Sequence, residues 1–84
     1  MIHHANPDFW NHYRQLPQDI QRRADKAYAL LQENPRHPSL HFKKVGDLWS
    51  ARITLDYRAL AVESQGEYIW FWIGTHEYYN FILT

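Results

Sequence analysis

The chain has 84 residues, nine basic and nine acidic, no cysteine, and a 45% hydrophobic, 17% aromatic composition. A chain this short has surface for one core, so a second domain is excluded and residues 1–84 are expected to form one domain, burying roughly 60–65% of the unfolded surface. Without cysteine there is no disulfide framework, thiolate metal site or thiol nucleophile, and the composition fits a reducing cytoplasm. The N-terminus lacks the basic and apolar regions of a signal peptide, and the longest apolar run, Tyr68 to Ile73, is too short to span a membrane. A cytoplasmic protein with no membrane partner is the expectation.

Pro7-Asp8 followed by Phe9, Trp10, Tyr13 and Leu16 predicts a short amphipathic helix stopped by Pro17. Pro17 and Asp19 then suit the first turn of a second helix, whose apolar stripe runs through Ile20, Ala24, Ala27, Tyr28, Leu30 and Leu31 to an end near Asn34. Pro35 and Pro38 make the next connection rigid.

Ten of the fourteen aromatic residues fall after His41, and β-branched and aromatic residues dominate that half, so it reads as sheet. Strands are expected at 39–45, 48–56, 57–64 and 67–75, with hairpin turns at Gly46-Asp47 and Ser64-Gln65-Gly66. Two N-terminal helices then pack on one face of a mainly antiparallel four-stranded sheet, an α+β fold, with little or no N-terminal strand before them. Alternation sets Trp49, Ala51, Ile53 and Leu55 on one face of the second strand and Ser50, Arg52 and Thr54 on the other. In the last strand Tyr68, Trp70, Trp72, Gly74 and His76 alternate with Ile69, Phe71 and Ile73; both faces are apolar, as in a central strand.

Charge is unevenly spread. Residues 36–58 carry Arg36, Lys43, Lys44, Arg52 and Arg58 against Asp47 and Asp56, whereas the last 26 residues have Glu63, Glu67 and Glu77 and no lysine or arginine. Such a chain attracts a polyanion locally and exerts no long-range pull on nucleic acid.

The order helix, helix, Asn34-Pro35-Arg36-His37-Pro38-Ser39-Leu40-His41-Phe42-Lys43-Lys44, then Trp49-Ser50-Ala51-Arg52, Asp56-Tyr57-Arg58-Ala59-Leu60 and Gly74-Thr75-His76-Glu77-Tyr78-Tyr79 resembles the RelE/ParE superfamily of toxins over nearly the whole chain. The resemblance implies the toxin of a type II toxin–antitoxin pair. RelE-like members cleave messenger RNA on the ribosome without metal; ParE-like members inhibit DNA gyrase. Fold does not choose between them.

Cleavage without metal needs a base for the ribose 2′-hydroxyl, cations for charge developing at phosphorus, and an acid for the leaving oxygen. Arg58 matches the arginine of the family's Tyr-Arg motif and is assigned transition-state stabilisation; otherwise it forms a salt bridge at a strand edge. Arg52 matches a basic position in the preceding strand, while the other basic position there is Ser50. His76 is the acid–base candidate, or else caps the next helix from a strand end, and Gly74 before it would let a substrate approach the backbone. Tyr79 matches the following tyrosine and either stacks on a base, helps proton transfer or packs in the core. Lys43, Lys44 and His41 form a basic strand for phosphate positioning, in which only one lysine can share the surface of Arg52; paired lysines also protect an edge strand. Trp70 and Trp72 are expected in the core rather than as base-stacking platforms.

No metal or other cofactor is expected. Pro38 separates His37 from His41, so the two cannot share a helix face, and His3 and His4 are adjacent. The expected partners are a cognate antitoxin, whose tail would cover a sheet edge left open at residues 1–5, together with messenger RNA and the ribosome. DNA is expected only through an antitoxin complex or gyrase, and a homodimer through the aromatic surface is allowed.

Overall fold

A computed structural model describes residues 2–84. Its elements are β1 (Ile2–Ala5), α1 (Pro7–Tyr13), α2 (Gln18–Glu33), a 3-10 turn (Pro38–Leu40), β2 (Lys43–Val45), β3 (Leu48–Arg52), β4 (Tyr57–Ser64), β5 (Glu67–Thr75) and α3 (His76–Leu83). The five strands lie in the order β1-β5-β4-β3-β2, with β1 parallel to β5 and every other pair antiparallel. No described helix is long and apolar enough to cross a membrane.

The helical hairpin follows its local chemistry. Asn6 caps α1 by accepting a hydrogen bond from the Phe9 amide at 3.0 Å, with Pro7 in the first turn. Pro17 stands just before α2 with φ −55°. The Gln21 amide on α2 donates to the carbonyls of Tyr13 (3.1 Å) and Leu16 (3.2 Å) at the end of α1, binding the two helices together. Tyr13 Oη donates to Asp25 at 2.7 Å and closes the hairpin.

Two tight hairpins carry the antiparallel ladder. Gly46 adopts φ 61° between β2 and β3, and Gln65 and Gly66 adopt φ 53° and 81° between β4 and β5, left-handed values that place glycine where side chains are disfavoured.

Four features differ from the sequence-based expectations. The strand expected at 39–45 starts only at Lys43, because His37 Nδ1 accepts from the Ser39 amide and winds Pro38–Leu40 into a 3-10 turn that ends on His41 at φ 45°. The strand expected at 48–56 stops at Arg52: the amides of Ile53 and Thr54 both reach the Tyr57 carbonyl, and Thr54 Oγ1 accepts from the Asp56 amide. Leu55, grouped by alternation with Trp49, Ala51 and Ile53, is exposed on this turn. The N-terminal segment forms a short fifth strand, β1, whose partner β5 is distant in sequence. Finally, α3 packs on the sheet face opposite α1 and α2, capped by Thr75 Oγ1, which accepts from the Tyr78 amide at 3.2 Å.

The sheet thus has two unlike faces. Toward α1 and α2, Leu31, Leu40, Ala51, Ala59, Ala61, Tyr68, Trp70 and Ile73 form the main core. Toward α3, a smaller cluster unites Leu60, Trp72 and Tyr79, with Leu48, Phe71 and Leu83 against it. Trp70 and Trp72 stand on opposite faces, contrary to plain alternation, because Leu60 pairs with Trp72 and Ala61 with Trp70; Phe71 is the extra residue of a β-bulge.

Candidate nucleic-acid interface

Register builds the site. Lys43 lies opposite Ser50 and Ser50 opposite Leu60; Arg52 lies opposite Arg58 and Arg58 opposite Gly74. Directly opposed residues share a face, so Lys43, Arg52 and Arg58 belong to the α3 side of the sheet. Lys44, opposite Trp49, belongs to the helical-hairpin side. His41 stands outside the strand, exposed at the end of the 3-10 turn. Of the three expected phosphate-positioning residues, one shares the face of the arginines.

Like charges directly opposed on paired strands repel, and among the described residues neither Arg52 nor Arg58 has a carboxylate within salt-bridge distance; the one ion pair is His4 with Glu67. The Arg58 side chain bends toward its own turn, where Nη1 donates to the carbonyls of Thr54, Leu55 (3.2 Å) and Tyr57 (3.1 Å). Its structural contact is therefore with turn carbonyls rather than with Asp56 or Glu63. Partial burial, and then the charge of Arg52, push its guanidinium pKa down, while Tyr79 and Asp56 act in the opposite direction.

Helix α3 brings the remaining two residues. Tyr79 is buried at 8% exposure in the cluster with Leu60 and Trp72, and the His76 ring stacks on it at 5.8 Å with 25° between planes. His76 opens the helix rather than ending the strand; its amide donates to the Asp56 carbonyl at 2.6 Å, tying α3 to the β3–β4 turn. Its side chain borders a shallow recess that Asp56, Tyr57 and Asn80 also line. Arg52 and Arg58 are thus paired on this face, the His76–Tyr79 stack is tied to the turn between them, and Lys43 lies farther along the same face.

Gly74, one residue before the end of β5, has a packing role. A β-carbon there would stand 2.5 Å from Trp72 Cζ2, so the indole lies across the space that a side chain would occupy. Trp72 is buried, and the rings of His12 and Tyr78 flank it at 6.3 Å each. Tyr78, 59% exposed and stacked at 22° to Trp72, presents an aromatic ring to solvent beside the more exposed Phe81. Sequence reading missed the stack of Tyr78 on Trp72, because it depends on α3. Ser50, opposite Lys43 and Leu60, is only 3% exposed. Among the described residues no three histidine, aspartate or glutamate side chains gather where they could hold a metal ion.

Comparisons with known proteins agree with this geometry. Residues 18–81 match the model of the ParE-like toxin domain. The fold is similar to that of a RelB–RelE antitoxin–toxin complex from Methanococcus jannaschii, with TM-score 0.74 at 13% identity over 96% of this chain and 99% of that one. It is also similar to YafQ from Escherichia coli strain BL21(DE3), with TM-score 0.68 at 12% identity over 92% and 94% of the chains. A YoeB/ParE toxin from Agrobacterium tumefaciens gives TM-score 0.66 at 14% identity over 90% and 99%. Comparison with curated protein sequences gave no match. With the helical hairpin, the sheet and the match over residues 18–81 in agreement, the chain belongs to the ParE-like toxin domain family of the RelE/ParE superfamily.

Proposed function

We propose that this toxin is a RelE-like, metal-independent endoribonuclease that cleaves messenger RNA, on the ribosome, and that a cognate antitoxin neutralises it. The observation that carries the reading is the opposed pair Arg52 and Arg58, without carboxylate partners, beside the stacked His76 and Tyr79. Two guanidinium groups held against their own repulsion favour an anion between or above them, and a ribose phosphate supplies one.

In this reading the ribose 2′-oxygen attacks the adjacent phosphorus, its proton passing to a base, while the 5′-oxygen leaves with a proton from an acid. The products are a 2′,3′-cyclic phosphate and a 5′-hydroxyl. Arg58 and Arg52 stabilise the additional charge on the non-bridging oxygens. His76 transfers protons, with Tyr79 holding its ring and sharing that transfer. Lys43 positions a neighbouring phosphate; Lys44 and His41, off this face, do not. An antitoxin partner is supported by the similarity to a RelB–RelE antitoxin–toxin complex.

The gyrase-inhibitor reading has one observation in its favour, the match to a ParE-like rather than a RelE-like domain model. Expression of wild type, His76→Ala and Arg52→Ala in cells lacking the antitoxin separates the two, with primer extension on a translated message and a plasmid supercoiling assay. The nuclease reading expects message cleavage, reduced at least about a hundredfold in each variant. Intact message with gyrase–DNA breaks assigns the chain to gyrase, and no effect on either assigns it to binding the antitoxin without toxicity.

A further inference from the structure

On the face of the sheet opposite the basic strip, a cavity of about 390 Å³ lies between the helical hairpin and the strands. This is the small end of the range of ligand pockets, roughly 300–1,000 Å³. The hollow is written into the sequence. Ala51 and Ala59 from the sheet, Ala24 and Ala27 from α2, and Ala5 line it, so that small side chains meet across the hollow. Protein interiors close such gaps when the facing residues are large.

The walls have a definite chemistry. Trp10 and Tyr28, each more than 40% exposed, line the cavity and leave aromatic surface open to solvent. One charged residue lines it, Asp25. The Tyr13 hydroxyl donates to Asp25 Oδ1 at 2.7 Å and fixes the carboxylate, while Oδ2 has no partner among the described residues. An apolar hollow with aromatic walls and one fixed carboxylate selects an apolar body with a positive head, since the carboxylate attracts a cation and repels an anion.

We infer that this cavity is a binding site for a small hydrophobic organic cation, an amine on an aromatic or aliphatic body, seated among the alanines with its ammonium group on Asp25. The site is separate from the basic strip, so the inference stands whether or not the chain cleaves RNA.

The test titrates the purified full chain with 4-phenylbutylamine, its neutral analogue 4-phenylbutanol and its anionic analogue 4-phenylbutyrate, following heat by calorimetry and backbone amide shifts by NMR. The expected result is saturable one-to-one binding of the amine, at least tenfold tighter than either analogue, with shifts at Ala27, Ala51 and Ala59. Asp25→Asn should bring the amine to the affinity of the alcohol. Ala27→Leu, which fills the hollow from a helix position, should abolish binding while the folded amide pattern persists. Equal affinity for amine and alcohol in the wild type, unchanged binding by Ala27→Leu, or no saturable binding of the amine would each overturn the assignment.

Discussion

Gly74→Ala tests the packing logic of the α3 side of the sheet. Glycine weakens a strand interior, so replacing it by alanine ordinarily stabilises by roughly 0.5–1 kcal/mol. Here the new β-carbon would fall 2.5 Å from Trp72 Cζ2 and 3.1 Å from Cε2 and Cη2. The indole has no free direction in which to yield: Leu60 and Tyr79 share its cluster and the rings of His12 and Tyr78 flank it. Overpacking of this kind costs about 1–3 kcal/mol. For a domain of this size each kcal/mol corresponds to about 4–8 °C in melting temperature. Thermal unfolding by circular dichroism should therefore show Gly74→Ala melting below wild type, by about 4–8 °C for each kcal/mol by which the overpacking exceeds that gain. In a Trp72→Leu background the ring is gone, and the same substitution should become neutral or stabilising. Equal effects of Gly74→Ala in the two backgrounds would refute the claim that the glycine exists for the indole.

Arg58→Ala should lose about 1 kcal/mol through the abandoned turn carbonyls and melt lower than Arg52→Ala, which leaves no such acceptor; equal melting temperatures would remove the structural role of Arg58. Lys43→Ala should weaken binding of a short RNA and reduce the slope of log affinity against log salt by about one, while Lys44→Ala should leave both unchanged; equal effects of the two would contradict the register. Stability should also fall in acid through His3. Trp70 Nε1 donates to His3 Nδ1 at 3.1 Å, so this imidazole must accept, and burial, followed by the positive charge of the chain terminus and of His4, lowers its pKa from the ordinary 6.5. The unfolded chain then takes up the proton first, so the contribution is complete above about pH 6.5 and declines as pH falls through that value toward the lowered one. Urea unfolding between pH 5 and 8 should show a shallower acid decline for His3→Phe than for wild type, and parallel profiles would exclude His3 as a source.

The helical hairpin was legible because its boundaries are set locally, by Asn6-Pro7, Pro17 and Asn34-Pro35, and the hairpin turns because Gly46 and Gly66 supply conformations that few other residues favour. Three features were not. β1 is four residues long and exists through a parallel partner more than sixty residues away, which no local pattern records. Helix α3 was hidden in an aromatic-rich segment, where Tyr78, Tyr79, Phe81 and Ile82 do not announce a strand or a helix by composition. The bulge at Phe71 cannot be read from alternation, since it is where alternation fails, and with it went the separation of Trp70 and Trp72 onto opposite faces. Within the candidate site, alternation correctly set Arg52 on the face away from Trp49 and Ala51, but the choice of Lys43 over Lys44 required the register of β2 against β3.

That register also explains how a chain of zero formal net charge can present a basic strip. The charges are concentrated by pairing rather than by number: Arg52 and Arg58 come from the two sides of one short turn, and the antiparallel ladder sets them opposite each other. Their repulsion would turn flexible side chains away from one another, but Arg58 is held by the carbonyls of residues 54, 55 and 57, which draw on the same turn that creates the pair. The turn is in addition fastened to α3 through the bond from the His76 amide to the Asp56 carbonyl. Turn, arginine pair and the His76–Tyr79 stack are consequently one mechanical unit. A displacement of α3 would move His76 and loosen the turn that orients Arg58, so groups from three separate stretches of sequence should gain or lose their arrangement together. This coupling predicts that Thr75→Val, which removes the cap of α3 without touching any charged residue, lowers RNA cleavage together with amide protection of residues 53–57, and cleavage unchanged despite a frayed α3 would separate the helix from the site.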